Sequence, residues 1–400
     1  MSRSLLVIFL TIFVNLVGFG IIIPLLPFYA ETFGASPLTI GLLFASFSLS
    51  QLIASPLLGG LSDRWGRRPV LILSLIGTAV SFVMLALAQS LTMLFAARIV
   101  DGLSGGNITT ARAYIADVTT EAERPRAFGM LGAAFGLGFI IGPAMGGALA
   151  TVSYTAPIWA AAAITLVAIG LAWIWLPETV HRAQAGAALP WHAMGNVMRR
   201  PRLRRLLAVD FTYWMAFAVY QTTFALFGAR RFAFDATHTG YLLRGFGVLG
   251  VVVQGGLVGP IVAALGSRRS LLAGLAFAAI GWAGGALTFS VPLFVATLVP
   301  AAIGIGLCNA TLTALVSTTA GPTEQGRVQG AAGALESLGR TLGPVWGNAV
   351  LQGAGEGAAF AAAAGLVVVA GVLARGLEPS PGAAAVLGAE PDGADTQRSS

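Results

Sequence analysis

Two pairs of opposite charges, each within an otherwise apolar stretch, are the residues best suited to do chemistry in this sequence. Arg98 precedes Asp101 by three residues and Glu336 precedes Arg340 by four, so each pair shares one helical face. A carboxylate beside a fixed cation can exchange a proton where water reaches it, which makes Arg98 and Asp101 a candidate proton-coupling pair. Glu336 and Arg340 are candidate contacts for a substrate. The alternative for each pair is a permanent ion pair.

Aromatic and amide side chains form a second group of candidates. Several of them share one face of the apolar stretch near 206–228, and isolated amides occur in other stretches. The set comprises Tyr213, Phe217, Tyr220, Gln221, Phe224, Asn15, Asn107 and Asn309. An aromatic cavity with a few hydrogen-bonding groups suits flat amphipathic compounds, so we interpret these residues as candidate cavity walls. Packing in helix cores or at the membrane interface is the alternative.

Helices that span a lipid bilayer must position these residues. Apolar residues make up 56% of the 400-residue chain and charged residues only 10%, too few to cover the surface of a soluble protein. A helix of about 20 apolar residues matches the thickness of a bilayer core. Twelve such stretches occur, near 5–27, 39–61, 69–88, 92–115, 127–149, 155–176, 206–228, 240–263, 270–290, 292–316, 328–352 and 355–374. The sequence therefore predicts an all-α membrane protein with twelve transmembrane helices.

The composition also excludes several classes of function. The single cysteine, Cys308, excludes a disulfide framework, and the three histidines lack the spacing of metal ligands. No nucleophile–base pair stands out, and a chain without lysine cannot contain a Gly-Lys-Ser/Thr phosphate loop. We therefore expect no enzyme activity, no cofactor and no metal.

The arginines predict a topology. All 23 basic residues are arginines, and those between spans collect in alternate connections, around 64–68, 124–126, 182–205, 268–269 and 327. The opposite connections contain only Arg230 and Arg231. Because Lys and Arg accumulate on the cytoplasmic side of membrane proteins, both termini are predicted to be cytoplasmic. The net charge of +7 then reflects topology, and we expect no nucleic-acid partner.

The two halves of the chain repeat each other. A glycine-rich pattern in the fifth span recurs in the eleventh at an offset of 201 residues. In the fifth span it consists of Gly129, Gly138, Gly142, Pro143, Gly146 and Gly147. The turns after the second and eighth spans share a second pattern, with Gly59, Gly66 and Arg68 matched by Gly259, Gly266 and Arg268. Small residues permit close helix packing, so we expect the two glycine-rich helices to form a joint surface on which the halves move.

Duplication predicts two pseudo-symmetric six-helix bundles. Residues 1–176 would form the N-terminal bundle and residues 206–376 the C-terminal bundle, joined by a cytoplasmic connector over 177–205. Residues 377–400 are rich in Pro, Gly, Ala, Ser and acids and have no apolar periodicity, so we expect a disordered cytoplasmic tail.

The turn after the second span combines an acid with three arginines and two glycines. Its residues are Gly59, Asp63, Arg64, Gly66, Arg67 and Arg68. The charges can form an ion-pair network with neighbouring helix ends, and simple anchoring at the cytoplasmic side is the alternative. The pattern Gly-x-x-x-Asp-Arg-x-Gly-Arg-Arg resembles the loop signature of the major facilitator superfamily. The glycine pattern of the fifth span resembles the signature of its drug/proton antiporters, and segments 20–27, 98–117 and 176–179 are similar to the tetracycline-efflux-like branch.

The resemblance implies the major facilitator fold and a latch at this turn. The latch would stabilise the outward-open state through Asp63, Arg64, Arg67 and Arg68, with Asp117 as the partner of Arg67.

The resemblance also implies a part for Arg98 in proton coupling. At Asn15, family members often carry an aspartate, so that coupling site is absent here. The second copy of the turn has Ala263 in place of the acid and Ser267 in place of an arginine, so we expect no symmetrical second latch.

The residues and the resemblance together predict a secondary transporter working by alternating access. We expect proton-coupled efflux of small hydrophobic or amphipathic compounds, tetracycline-like drugs among them, across the bacterial inner membrane. The alternative is a proton symporter or facilitator that imports a small metabolite. A non-transporting sensor is a third hypothesis, for which the connector and the tail are too short to supply a partner-binding domain. The expected partners are a small-molecule substrate, protons and the lipid bilayer, and we expect a monomer.

Overall fold

A computed structural model of the chain describes residues 3–105, 107–119, 124–179, 200–319 and 325–377. All regular elements within these ranges are helices. The N-terminal half contains α1 Arg3–Glu31, α2 Pro37–Trp65, α3 Arg67–Ala86, α4 Leu91–Ser104, α5 Asn107–Val118, α6 Arg124–Ala150 and α7 Ala156–Trp175. The C-terminal half contains α8 Pro201–Phe232, α9 Ala236–Val252, a π-helical turn Val253–Leu257, α10 Val258–Leu287, α11 Val291–Thr319, α12 Gln325–Ala354 and α13 Glu356–Arg375.

These helices make twelve spans, as the sequence predicts. α4 and α5 together form the fourth span, which is interrupted at Gly105. α10 belongs to two spans, because Gly266 is non-helical and separates them. By length and hydropathy alone, seven described segments could cross a membrane, and one of these, Ala236–Leu287, contains the break at Gly266. α8 and α12 are less apolar because they carry the charged and polar residues that make them candidates for function.

Local sequence sets several helix ends. The Ser36 hydroxyl accepts a hydrogen bond from the backbone N–H of Thr39 at 3.2 Å, and Pro37 occupies the first turn of α2. Gly66 lies between α2 and α3 at a φ of 105°, and Gly266 repeats it at 74°. This backbone conformation favours glycine, which explains why the two turns share that residue.

The structure differs from the predicted helices at two places, the start of α8 and the fourth span. α8 begins at Pro201, inside the predicted connector over 177–205, because proline is favourable in the first turn of a helix. The fourth span is two helices instead of one. The rest of the connector, residues 180–199, and the predicted disordered tail from residue 378 lie outside the described residues.

Each half has a main hydrophobic core, and the core of the N-terminal half continues into the other half through Leu226, Leu351 and Ala359. In the N-terminal bundle, α1–α7, aliphatic side chains such as Ile21 fill the core. In the C-terminal bundle, α8–α13, aromatic rings dominate: Tyr220 stacks on Trp282 with ring centroids 4.9 Å apart, and Phe227 stacks on Phe360 at 4.1 Å. The fold is therefore an all-α membrane protein of two pseudo-symmetric six-span bundles.

The glycine-rich helices pack closely against the first helix of their own bundle. A Cβ atom built at Gly142 on α6 would lie 2.7 Å from the Val17 carbonyl oxygen and 2.8 Å from Gly20 Cα on α1. A Cβ atom at Gly343 on α12 would lie 2.6 Å from the Met215 carbonyl oxygen on α8. Only glycine permits helix backbones to approach this closely.

The two glycine-rich helices do not form the joint surface that the repeat led us to expect. Within the described residues, α6 packs instead against α9 of the other bundle, where Gly147 meets Gly240. α12 packs against α2, where Pro344 and Asn348 meet Gly41. The pseudo-symmetry explains this correction, because each glycine-rich helix meets the second span of the opposite bundle and not its own copy.

The bundles meet near one face of the molecule. We define the arginine-rich face as the face that carries the connections at 64–68, 200–205 and 268–269, and the other as the opposite face. Near the opposite face, the Leu38 backbone N–H donates to Gln352 Oε1 at 3.1 Å, and the Thr237 hydroxyl donates to the Gly147 carbonyl at 3.1 Å. α2 and α12 are thus joined at this face, and so are α6 and α9.

Among the described residues, α2 and α12 separate toward the arginine-rich face. Cβ atoms built at Gly59 and Gly60, near the end of α2, would have no neighbour within 4 Å. The same holds for Gly330 and Gly333, near the start of α12. Among the described residues, α2 and α12 are therefore in contact near the opposite face and apart near the arginine-rich face.

Candidate functional site

Arg98 and Asp101 form a buried ion pair on α4. Arg98 Nη1 lies 2.6 Å from Asp101 Oδ2, and the two residues are 1% and 8% exposed. The pair forms within one helix because residues three apart lie on the same face. The Arg98 guanidinium carbon also lies 4.3 Å from the centroid of the Phe47 ring on α2. One carboxylate and one aromatic face therefore surround this buried cation.

α4 crosses α2 closely at this pair. A Cβ atom at Gly102 would collide with the Phe47 carbonyl oxygen and the Ser50 side chain, so the crossing requires glycine. Arg98 Nε and Nη2 have no hydrogen-bond partner among the described residues. The structure places Arg98 and Asp101 together as the sequence predicts, and their part in proton coupling stays a prediction.

The fourth span is interrupted one helical turn after Asp101. α4 ends at Ser104, and the Gly105 carbonyl accepts a hydrogen bond from Gln51 Nε2 of α2 at 3.0 Å. α5 then begins at Asn107, whose side chain lies outside the described part of the structure. Gln51 thus binds a carbonyl group at the point where α4 ends.

A second charged cluster lies between α8 and α12. Arg340 Nη2 donates to Glu336 Oε2 at 3.3 Å, and the Arg340 guanidinium carbon lies 4.7 Å from the centroid of the Trp214 ring. Asp210, which is 2% exposed, lies on α8 close enough to Glu336 and Arg340 to interact electrostatically with both. A second carboxylate thus joins the pair that the sequence singles out.

The crossing of α12 over α8 positions this cluster. A Cβ atom at Gly339 would lie 2.9 Å from the Met215 backbone nitrogen and 3.0 Å from the Phe211 carbonyl oxygen. The close backbone approach places Arg340, the next residue of α12, against Trp214 of α8. The glycine of the repeated pattern therefore has a second use, which is to bring charged side chains from two helices together.

Two of the candidate polar residues join α8 to α11. The Tyr213 hydroxyl donates to Asn309 Oδ1 at 2.9 Å, and Tyr213 is fully buried. This hydrogen bond lies within the second bundle, where a buried polar group needs a partner. Tyr213 therefore fits the packing alternative better than the cavity-wall interpretation.

The structure corrects the cavity interpretation for two further residues. Tyr220 and Phe224 are 4% and 3% exposed and pack in the aromatic core of the C-terminal bundle, with Tyr220 against Trp282 and Phe224 against Phe360. They are buried because the inner face of α8 supplies the rings that fill this core.

The partly exposed face of α8 is a neighbouring one. Trp214, Phe217 and Gln221 are half-buried and follow one another at helical spacing. The Trp214 and Phe217 ring centroids lie 5.7 Å apart in an edge-to-face arrangement. Of the predicted cavity residues on α8, only Phe217 and Gln221 therefore lie on a face that a ligand could reach.

Asn15 lies on a partly exposed face of α1. It is half-buried, and Phe19 follows it one turn later. The Phe19 ring centroid is 5.9 Å from that of Phe47 on α2 and 6.1 Å from that of Phe139 on α6. Because Phe47 also contacts Arg98, these aromatic rings connect the Asn15 face to the buried ion pair.

Arg67 organises the turn between α2 and α3. Its Nη1 lies 2.6 Å from Asp63 Oδ1, its Nε lies 3.1 Å from Asp117 Oδ2, and it donates to the Ser62 hydroxyl at 2.6 Å. The Arg64 side chain is exposed. The hydrogen bonds and ion pairs described for this turn all join residues of the first bundle, so a latch across to the second bundle stays a prediction.

Glu178 joins the end of the first bundle to the same turn. Its two carboxylate oxygens accept hydrogen bonds from the backbone N–H groups of Arg67 and Arg68 at 2.9 and 3.2 Å, which caps the start of α3. Arg68 in turn donates to the Trp173 carbonyl near the end of α7 at 2.6 Å. The start of α3 and the end of α7 are thus bound together.

The second copy of the turn keeps only part of this arrangement. Arg268 donates to the Arg375 carbonyl at the end of α13, as Arg68 does at the end of α7. Ala263 and Ser267 carry no charge, so the pairing that Arg67 makes with Asp63 has no equivalent at these positions.

Sequence reasoning did not predict what three residues of these clusters contact. Asp210 had a signal, because it is an acid within an apolar span, but its neighbours come from another helix. Trp214 lies in the aromatic stretch near 206–228, and Glu178 lies in the segment 176–179 that is similar to the tetracycline-efflux-like branch. Only the crossing of α8 and α12 and the docking of residue 178 on α3 reveal what these side chains contact.

Comparison with known proteins places the chain in a family. The Major Facilitator Superfamily profile matches residues 8–344 and 256–395. The chain is 35% identical to the tetracycline resistance protein, class G, of Vibrio anguillarum over 376 residues, which cover 90% of this chain and 92% of that protein. It is 32% identical to multidrug resistance protein 2 of Bacillus subtilis, with 87% and 88% covered. The crystal structure of the human organic anion transporter MFSD10 (TETRAN) has the same fold, with a TM-score of 0.73 at 24% identity over 93% of this chain and 99% of that one.

The chain belongs to the major facilitator superfamily. It is a multi-pass membrane transporter of small molecules and not an enzyme, and its relatives include tetracycline and multidrug resistance proteins.

Proposed function

We propose that this protein exports small hydrophobic or amphipathic compounds, tetracycline-like drugs among them, in exchange for protons. The observation that carries the proposal is the placement of a charged and aromatic cluster in each of two bundles whose helices α2 and α12 are in contact near one face and apart near the other. The names of the curated relatives supply the class of substrate. The group proposed to exchange protons is Asp101, a carboxylate held beside a fixed cation within the membrane.

The arginine-rich face is the cytoplasmic one in this proposal, in accord with the distribution of Lys and Arg in membrane proteins. The protein lies in the bacterial inner membrane as a monomer, with both termini in the cytoplasm. The conformation described here is then open to the cytoplasm and takes up the drug. In the opposite conformation, the cytoplasmic ends of the bundles are latched together by Asp63, Arg64, Arg67 and Arg68. The ion pair with Asp117 positions Arg67 for this role.

The domain organisation of the proposal follows the repeat. Residues 1–176 and 206–376 move as two bodies, and residues 177–205 connect them on the cytoplasmic side. α8 starts at Pro201, so its first turn lies within that connector.

Import of a small metabolite is the second candidate. Asn15 favours it, because an amide on the partly exposed face of α1 can bind a substrate but cannot carry a proton. The balanced Arg98–Asp101 pair is also compatible with a facilitator that moves no protons.

Drug accumulation in intact cells distinguishes the two candidates. Cells that express the protein are compared with cells that lack it, with and without an uncoupler that collapses the proton gradient. Export predicts lower accumulation of tetracycline and of lipophilic dyes in expressing cells, and the uncoupler should abolish the difference. Equal drug accumulation, together with faster uptake of a labelled metabolite in expressing cells, would contradict export and support import.

A further inference from the structure

The two contacts between the bundles near the opposite face match each other. Gly41 and Gly240 lie near the starts of their helices, α2 and α9. A Cβ atom at Gly240 would lie 2.6 Å from the Pro143 carbonyl oxygen, and one at Gly41 would collide with the Pro344 carbonyl oxygen. Pro143 and Pro344 occupy the same place in the glycine-rich repeat. The crossing of α6 with α9 and the crossing of α2 with α12 are therefore pseudo-symmetric copies.

One residue breaks this symmetry. The repeat has Gly147 in the first crossing and Asn348 in the second, at the offset of 201 residues. A Cβ atom built at Gly147 would lie 3.0 Å from the Gly240 Cα atom. Asn348 is 0% exposed and its Cβ atom lies against Gly41 of α2. A polar side chain is thus buried at this place in only one of the two matching crossings.

The Asn348 amide is only partly hydrogen-bonded. Its Nδ2 donates to the Pro344 carbonyl at 2.8 Å and to the Thr222 hydroxyl at 3.3 Å. A carbonyl oxygen accepts only from the nitrogen of an amide, so the Pro344 contact fixes which way the amide points. Its Oδ1 atom is buried and has no hydrogen-bond partner among the described residues. α2 therefore covers this oxygen without satisfying it.

This amide has different surroundings when the two bundles part at the opposite face. Its bonds to Pro344 and Thr222 lie within the C-terminal bundle, so they persist when α2 moves away. Water then reaches Oδ1 and supplies the missing bond. Only a difference between two conformations can shift the balance between them. A buried acceptor that is left unpaired in one conformation shifts that balance by about 5- to 150-fold.

We propose that Asn348 is a positioning residue that favours opening of the opposite face. Its unpaired amide oxygen destabilises the contact of α2 with α12 and is hydrated once that contact opens. This cost opposes the close packing at Gly41, which otherwise holds the protein in the present conformation. The inference rests on the alternating movement of the bundles in the proposed function, but it requires neither drug nor protons.

Distances between spin labels at the opposite face test this proposal. The labels are attached at Val152→Cys of the N-terminal bundle and at Leu287→Cys of the C-terminal bundle, both of which are 79% exposed. The native Cys308 is buried, so it takes up little label. Double electron–electron resonance of the protein in lipid nanodiscs, without drug, gives the populations of two distances. The shorter distance belongs to the closed opposite face and the longer one to the open face.

Asn348→Ala should raise the ratio of the shorter to the longer distance by about fivefold or more. The substitution removes the unpaired acceptor and keeps the Cβ atom that lies against Gly41. Adding Gln352→Ala to this variant should shift the ratio back toward that of the parent protein. Gln352 accepts the hydrogen bond from Leu38 that joins the same two helices, so its loss weakens the closed contact.

Thr341→Val is the matched control. This buried hydroxyl of α12 donates to the Ser337 carbonyl of its own helix at 2.8 Å, so its removal should leave the ratio unchanged. If Asn348→Ala does not fold, Asn348→Gly decides, because glycine is the residue at this place in the other half of the repeat.

Three results would overturn the proposal: an unchanged ratio in the Asn348 variants, a shift toward the longer distance, or the same shift in Thr341→Val. A single distance in every variant would also overturn it, and would reject the bundle movement on which the proposed function depends. The expected shift in a protein that exports no drug would support this inference and reject the proposed export.

Discussion

At the scale of single residues, the Arg98–Asp101 pair persists mainly because separating it would leave an unpaired charge in a buried site. Both side chains are almost fully buried, and Arg98 has no second carboxylate among its described contacts. A charge left alone in such a site costs far more than the pair itself contributes. The two residues are therefore expected to depend on each other.

A double-mutant cycle measures this dependence. Arg98→Gln and Asp101→Asn should each lower the free energy of unfolding by about 3–5 kcal/mol, because each leaves one buried charge unpaired. The double variant should recover most of that loss. The measurement is denaturant unfolding of the purified protein in detergent, and additive losses in the double variant would contradict the pairing.

Part of this site could be predicted from spacing along one helix. The contacts between helices could not be predicted from the sequence. Arg98 and Asp101, three residues apart, were paired from the sequence because a helix dictates their proximity. The proximity of Asp210 to Arg340 could not be predicted, because it depends on how α8 and α12 cross. The aromatic face of α8 was recognised, but periodicity alone does not say which side of it packs in the core, so Tyr220 was misplaced.

At the scale of helices, the repeated glycines determine how closely α1 and α6 approach. A Cβ atom at Gly142 would meet main-chain atoms of Val17 and Gly20, which cannot move aside as the tip of a flexible side chain can. The same contact recurs between α8 and α12 at Gly343. These glycines belong to the packing inside each bundle, and Gly147 belongs to the contact between bundles.

Replacing one of these glycines should separate the helices. Gly142→Ala is expected to lower the free energy of unfolding by about 1–3 kcal/mol, as overpacking does, and to reduce transport. Gly170→Ala in α7 is the matched control, because a Cβ atom there has no neighbour within 4 Å and alanine favours a helix. Thermal unfolding of both purified variants checks this, and equal stability of the two would argue against the close α1–α6 contact.

The helices were predicted well where they are long and apolar, and less well where polar groups interrupt them. The turn at Gly266 follows from its match to Gly66, because a duplicated sequence repeats its backbone. The interruption at Gly105 was not predicted, since an apolar stretch with glycines fits one span or two half-spans. The prediction that α6 and α12 pack against each other was also wrong, because a repeat specifies equivalent positions and not which surfaces meet.

At the scale of the whole molecule, two bundles related by duplication are joined near the opposite face, among the described residues, by α2 with α12 and by α6 with α9. α2 and α12 run antiparallel, with Leu38 beside Gln352 and Gly41 beside Pro344. Continuing this register toward the other end of α2 places Gly60 opposite the first turns of α12, where the helices are now apart. If α2 and α12 closed together at the Gly60 end, the present contacts of Leu38 and Gly41 with α12 would have to open.

Cross-linking tests whether the contacts at one end of α2 and α12 open when the other end closes. A disulfide between Leu38→Cys and Gln352→Cys should form readily, stop transport and release it again on reduction. The control pair, Gly60→Cys with Gly330→Cys, should cross-link only while the first pair is free. The native Cys308 is buried and adds little background. Transport that continues through the locked protein would contradict movement of the two bundles.

Drug-driven proton release from inverted membrane vesicles tests the central claim most directly. In such vesicles an exporter carries drug into the acidified lumen and brings protons out. We predict a drug-dependent loss of lumenal acidity with the unmodified protein and none with Arg98→Gln/Asp101→Asn, which retains a balanced interior. No drug-dependent proton release with the unmodified protein, or the same release with the double variant, would contradict the account.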